Sequence, residues 1–387
     1  MKFFSEHIKG DKVVWIIVLL LSLFSILSVY SSTGSLAFRY QGGNTEYYLL
    51  KHVFTIVTGL FIMYLIHNIK YTRFSRIAQL LFILSIPLLF YTLVKGTNVN
   101  DASRWLTIPF IGISFQSSDL AKLAVILFLA RSLALKQDKI DDFRNSFVPI
   151  IWPIALVTVL IFPANLSTAV LVFGTAMIIM FIGRVPIKYI GAALGILIVI
   201  GALAVLIIMQ SPGKGRTGTW ANRIESFFSD EEDEGDYQAL QSKIAIANGG
   251  ITGKLPGNST QRNFLPHPYS DFIYALLVEE WGLFGGIFVL LLYLILLYRG
   301  IRIATRSPGS FGAFLSIGLT IMIVFQALIN MGVAVNLLPV TGQPLPMVSM
   351  GGTSIWFTCI SLGIILSVSR NKEEEEKKEI SNENTKA

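Results

Sequence analysis

Hydrophobic positions in this chain come in long blocks, unlike the short alternations of strands or the one-sided stripes of surface helices. Ten blocks can be marked, at about 13–31, 49–67, 77–95, 119–135, 147–163, 167–183, 189–209, 272–298, 311–331 and 353–369. Most approach twenty residues with almost no internal charge, the length an α-helix needs to cross a hydrocarbon core of about 30 Å. The pattern predicts an all-α polytopic integral membrane protein with about ten transmembrane helices. The apolar stretch 147–183 is too long for one crossing, and Pro163 supplies the break between the fifth and sixth spans. The polar excursion at about 210–271, between spans seven and eight, is expected to form one large extracytoplasmic loop. Its acidic cluster, Asp230 to Glu234, reads as a solvated tip. A single transmembrane domain then covers 1–370. The mixed-charge run 371–387 reads as a solvated, partly disordered cytoplasmic tail.

Composition narrows this further. Hydrophobic residues make up 53% of the chain and charged residues 14%, against about 25% charged in soluble domains, which excludes a soluble fold. The single cysteine, Cys359, lies inside an apolar run and cannot form an intrachain disulfide. The four histidines are scattered, so no Cys/His metal cluster is expected. The N-terminal apolar run is too long for a cleaved signal and reads as a retained span. Lysine and arginine fall on alternate connections, among them Lys9, Lys12, Lys70, Arg73, Arg76, Arg184, Lys188, Arg299, Arg302 and Arg370, whereas the loops at 32–48, 164–166 and 332–352 hold only Arg39. Both termini are therefore expected in the cytoplasm, in a multi-pass protein of the cytoplasmic (inner) membrane. The net charge of +7 is largely this bias. Because the basic residues are spread over short loops, no nucleic-acid partner is expected.

Polar chemistry collects toward one side of the membrane. Lys51 and His52 enter the second span, Arg104 lies in the third loop, Asp119 and Lys122 enter the fourth span, and Asp271 with Glu279 and Glu280 opens the eighth. A channel or pump needs polar groups through the whole bilayer; a one-sided basin fits an enzyme or receptor facing outward. In the stretch from Gln241 to Gly286, glycines and prolines rule out a continuous helix before Ser270, and Ser270 is expected to cap a helix whose first turn carries Asp271. Each residue also has a plainer reading. Lys51 can snorkel. Asp119 and Lys122, three apart, can be a structural ion pair. Trp105, Trp281 and Trp356 can be interfacial anchors. Glu279 and Glu280 point in successive directions, so at most one faces the way Asp271 does. Asp271 itself can be a helix-end carboxylate and nothing more.

Three segments carry a resemblance over essentially the whole chain: Asp101–Lys122, Tyr237–Gly286, and Leu338–Ser354 with its LPVTGQPLP run. They resemble the SEDS family of cell-shape, division and sporulation proteins, the group of RodA and FtsW, with details such as Val340-Thr341-Gly342 leaning toward the division member. The resemblance implies a peptidoglycan glycosyltransferase that polymerises lipid II, with Asp271 as the catalytic aspartate. It further implies substrate contacts from Arg104, Trp105, Asp119, Lys122, Lys51 and Glu279, and from Asn258 and Ser259 of the loop. The family's glutamate in the fourth span is Asp119 here, its aspartate at the start of the sixth is Asn165, and its tyrosine before the glycine pair is Met350. A divalent cation, magnesium or manganese, bridging diphosphate and Asp271 is compatible with the chemistry, although no multi-carboxylate cage is visible. The implied partners are lipid II, a class B penicillin-binding protein transpeptidase and other divisome or elongasome membrane proteins. Gly285, Gly286, Gly312 and Gly318 are small residues where the transpeptidase's span is expected to pack. A lipid II flippase and a non-catalytic scaffold are the alternative functions.

Overall fold

A computed structural model describes residues 9–40, 42–99, 102–107, 114–210, 234–265 and 268–386. All ten expected spans are helices. They are α1 (Lys12–Ser32), α3 (Thr45–His67), α4 (Thr72–Lys95), α5 (Ser117–Lys136), α6 (Val148–Ile161), α7 (Leu166–Ile182), α8 (Ile187–Gln210), α10 (Ile273–Thr305), α11 (Ser310–Ala334) and α12 (Thr353–Lys386). Among the described residues seven segments are long and apolar enough by themselves to cross a membrane; α7 and the 187–203 part of α8 are apolar as well, and α5 carries Asp119, Lys122, Arg131 and Lys136. The chain is a polytopic, multi-pass membrane protein.

The bundle is organised around α11, which packs against α5, α7, α10 and α12 and buries most of its length. Lipid is as apolar as leucine, so helices in a membrane associate through close contact and polar bonds. The α3–α12 interface follows that rule. A Cβ on Gly59 would lie 2.9 Å from Cys359 Sγ, and one on Gly363 would lie 2.9 Å from the Met63 carbonyl oxygen. The same reasoning corrects one expectation. A Cβ on Gly318 would meet Ile126 and Ile179 at 2.8 Å, and one on Gly312 would meet Ser307 and Tyr71. Gly285 and Gly286 are likewise buried, against Trp281, Val278 and Tyr274. Gly312 and Gly318 therefore serve packing within the bundle and do not form a surface for a partner's span, while the neighbours of Gly285 and Gly286 belong to α10 itself.

Four features were not expected. The third loop holds a three-stranded antiparallel sheet of β1 (Thr97–Val99), β2 (Ala102–Thr107) and β3 (Ser114–Gln116), with β2 in the middle. A short helix, α2 (Gly34–Tyr40), follows the first span. The large loop contains α9 (Glu234–Gly249), which packs on α10; residues 211–233, with all of the acidic cluster except Glu234, lie outside the described residues. Finally, α12 continues to Lys386, where a partly disordered tail was expected. Glu373 and Glu374 each precede a lysine by four residues, a spacing that supports an isolated helix.

Candidate functional site

The first component of the site is a loop fastened onto α10. Gly282 has φ 70° and ψ −172°, which interrupts the helix. The two N–H groups beyond the break bond outward, Leu283 to the Gly250 oxygen at 2.9 Å and Phe284 to the Ile251 oxygen at 3.4 Å. A Cβ on Gly282 would stand 2.2 Å from the Ile251 oxygen, so only glycine allows this approach. Glu279, fully buried, secures the same loop. Its carboxylate accepts from Lys254 Nζ at 2.8 Å, Ser259 Oγ at 2.5 Å, Thr260 Oγ1 at 2.8 Å, and the N–H groups of Thr260 and Gln261 at 3.2 Å each. Glu280, also buried, accepts from Ser31 Oγ and from the Gly257 N–H. Both glutamates are thus occupied by the protein's own donors. In the structure Glu279 and Ser259 hold the loop.

Asp271 sits where this platform meets the bundle. Ser270 does not cap the helix as expected. Residues 268–272 form turns, α10 begins at Ile273, and its N-cap position is Phe272 with no side-chain cap bond. Ser270 Oγ instead donates to Asp271 Oδ1 at 2.8 Å. The reason is the neighbouring segment 338–350, whose Ser349 Oγ donates to the Ser270 carbonyl at 2.6 Å and whose Met350 N–H reaches the Tyr269 oxygen at 2.9 Å. These bonds hold the chain in turns through Ser270. Phe272 and Ile273 are buried behind Asp271, which is itself half-buried.

The 338–350 segment forms a strap across the end of the bundle. Gly342, at φ 65°, brings it closest to the charged residues: a Cβ there would lie 3.5 Å from Asp271 Oδ2 and 3.6 Å from Arg104 Nη1. A carboxylate and a guanidinium therefore converge on one point. Arg104, on β2, is oriented by a bond from its Nε to the Ala164 carbonyl at 2.9 Å. Behind the strap, Gln343 Nε2 bonds Thr168 Oγ1 at 2.5 Å and Asn165 Oδ1 at 3.4 Å. Asn165 also caps α7 through the Thr168 N–H, so the amide that replaces the family's aspartate is engaged structurally.

The remaining expected residues are dispersed. Lys122 Nζ pairs with Asp119 Oδ1 at 2.7 Å and donates to Gln326 Oε1 at 2.8 Å. Both charged groups are buried, and Asp119 Oδ2 has no protein partner. They line a cavity of about 30 Å³ with Ser354, Thr358 and Ser361, large enough for a water but not for a sugar. Lys51 and Asn258 are exposed, and Asn258 Nδ2 donates to the Lys254 carbonyl at 3.0 Å. Trp105 is half-buried in the sheet, opposite Gln116. Among the described residues no group of three or more His, Cys, Asp or Glu side chains could hold a metal. Gln326, Asn330 and Gln343 were not anticipated. Amides inside an apolar run were the available signal for the first two, because polar side chains within spans are costly to bury.

With this geometry in view, comparison with known proteins is direct. A family model for cell cycle proteins, that of FtsW, RodA and SpoVE, matches residues 11–374. The stage V sporulation protein E of Bacillus subtilis is 33% identical over 95% of this chain and 98% of its own. A "Probable peptidoglycan glycosyltransferase FtsW" from Geobacter metallireducens is 31% identical over 94% and 96%. A chain from a solved structure described as "Structural coordination of polymerization and crosslinking by a peptidoglycan synthase complex" superposes with a TM-score of 0.75, at 25% identity over 94% and 98%. The rod shape determining protein RodA of Thermus thermophilus shares the fold, with a TM-score of 0.68 at 22% identity. The chain therefore belongs to the SEDS family of FtsW, RodA and SpoVE cell cycle proteins, with its leaning toward the FtsW side in keeping with these relatives.

Proposed function

We propose that this protein is a peptidoglycan glycosyltransferase that polymerises lipid II into β-1,4-linked glycan during cell division, with Asp271 as the general base. The observation that carries the reading is the convergence of the Asp271 carboxylate and the Arg104 guanidinium on Gly342. The reaction needs a base for the acceptor's 4-hydroxyl and positive charge for the departing diphosphate. Asp271 takes the hydroxyl proton as the acceptor oxygen bonds to the donor's anomeric carbon. The bond from that carbon to the undecaprenyl diphosphate breaks on the opposite face, and the α-linked donor becomes a β-linked product by inversion. Diphosphate leaves without a proton, so no second carboxyl is required as general acid. Arg104 presents a planar fork to phosphate oxygens. Lys122, paired with Asp119, supports the strap through Gln326.

The lysine and arginine asymmetry of the connections supports placing both termini in the cytoplasm and the Asp271 end outside. The 371–387 segment is then a cytoplasmic extension of a single transmembrane domain. The polymerisation and crosslinking complex described for one structural relative supports a transpeptidase partner, of class B penicillin-binding protein type. The test is incubation of purified protein with lipid II, alone and with a candidate transpeptidase, with and without a chelator, followed by extraction of the lipid-linked products. Glycan polymer is the expected product. Translocation in vesicles without polymer would identify a flippase, and neither outcome would leave a scaffold.

A further inference from the structure

The strap at 338–350 is extended, irregular backbone pressed into a helical bundle; Leu345, Met347 and Val348 are essentially buried. Backbone at that depth must find internal partners, and here side chains from several helices supply them. Gln326 Nε2 holds the Pro344 carbonyl at 2.9 Å, Tyr293 Oη holds that of Pro346, and Ser25 Oγ holds that of Val348 at 2.8 Å. None of these donors reaches Asp271. Asn330, one turn beyond Gln326 on α11, differs. Its Nδ2 donates both to the Gln343 carbonyl at 2.7 Å and to the Asp271 carbonyl at 2.8 Å.

We infer that Asn330 is a positioning residue for catalysis, one that sets Asp271 against the strap segment bearing Gly342. The inference rests on the reading of Asp271 as base and extends it. One planar amide spans the two backbones, so it fixes their separation with little freedom. Both bonds go to carbonyl oxygens, which decides which way the amide points. Its Oδ1 is left buried and without a protein donor. An unsatisfied buried acceptor costs stability that an apolar side chain of similar shape would avoid. Bulk filling therefore does not account for an amide here; the two donated bonds do. From below, the Asp119–Lys122 pair buttresses the same strap through Gln326, whose Oε1 accepts from Lys122 while its amide nitrogen grips Pro344.

The experiment compares Asn330→Asp and the milder Asn330→Ala with Tyr293→Phe, which removes a donor from the strap without touching Asp271. Initial rates of lipid II polymerisation give kcat and KM, and unfolding in detergent reports stability. Displacing a catalytic group by about an ångström costs on the order of 100-fold. The expected result for Asn330→Ala is kcat lowered about 10- to 100-fold with KM within about threefold, and a larger loss for Asn330→Asp, whose second oxygen would face two carbonyls. Tyr293→Phe should lose comparable thermal stability and keep kcat within about threefold of wild type. Equal loss of rate in Tyr293→Phe and Asn330→Ala would overturn the inference, because it would reduce Asn330 to one strap contact among several. So would an Asn330→Ala enzyme with unchanged kcat. Asp271→Asn, assayed in parallel, separates the two levels. If it is inactive while Asn330→Ala is fully active, only the positioning role fails. If it polymerises normally, the assignment of the base fails first.

Discussion

Glu279 offers a sharp test of how the site is built, because its carboxylate is fully buried yet satisfied by five donors from one loop. Glu279→Gln preserves the shape and turns one oxygen into an NH2 group. If that group takes the Oε2 position, Ser259 can rotate its hydroxyl to accept, but the Gln261 N–H cannot and is orphaned. If it takes the Oε1 position, the Thr260 N–H and the Lys254 ammonium face it instead. In the first arrangement the buried Gln261 N–H loses its acceptor, at a cost of about 1–3 kcal/mol, and in the second the exposed Thr260 N–H and the Lys254 ammonium lose theirs, at a smaller cost. The cost should appear as local opening of 254–262, with hydrogen exchange there faster by about 10- to 100-fold. Exchange in the core of α11 should change far less. Wild-type protection across 254–262 in Glu279→Gln would refute the claim that this carboxylate holds the loop.

Three further outcomes follow from particular contacts. Gly282→Ala should abolish stable expression or lower the unfolding temperature sharply, since its Cβ would sit 2.2 Å from the Ile251 oxygen; a stable, well-expressed variant would contradict the close approach. Gly342→Ala meets its neighbours at ordinary contact distance and should cost only about 1–2 kcal/mol in backbone strain. Its methyl group nevertheless occupies the point where Asp271 and Arg104 converge, so polymerisation should fall far more than stability, and wild-type rates would show that this point is not substrate space. Single cysteines at Ser229 and Ser381, in a Cys359→Ser background, should label in intact cells and only after permeabilisation, respectively; labelling of position 381 from outside would invert the proposed topology.

The ten spans were legible because a bilayer demands uninterrupted apolar length, and that demand is written residue by residue. The convergence of Asp271 and Arg104 was legible only through the family's motifs, since no local pattern ties residue 104 to residue 271. Helical geometry cannot foresee a loop returning from Lys254 that bonds both Glu279 and Glu280. The N-cap assigned to Ser270 failed for a similar reason: the strap bonds of Ser349 and Met350 outweigh a local capping preference. Gly318 reads as a small residue available to any neighbour, and only the packing of Ile126 and Ile179 shows which neighbour it serves. Asn330 carried a readable signal, an amide amid apolar residues, but its two partners lie 59 and 13 positions away.

Asp271→Asn tests the central claim most directly. Asparagine keeps the side chain's size and can still accept the Ser270 hydroxyl's hydrogen bond, but it cannot take a proton from the acceptor sugar. The measurement is the initial rate of glycan polymer formation from lipid II by purified Asp271→Asn, alongside wild type, with unfolding in detergent as the control for fold. A positioned base is worth about 10² to 10⁴ in rate, so the account predicts a loss of that size with thermal stability near wild type. Polymer formed at the wild-type rate would contradict it and leave Asp271 a structural residue at the mouth of α10.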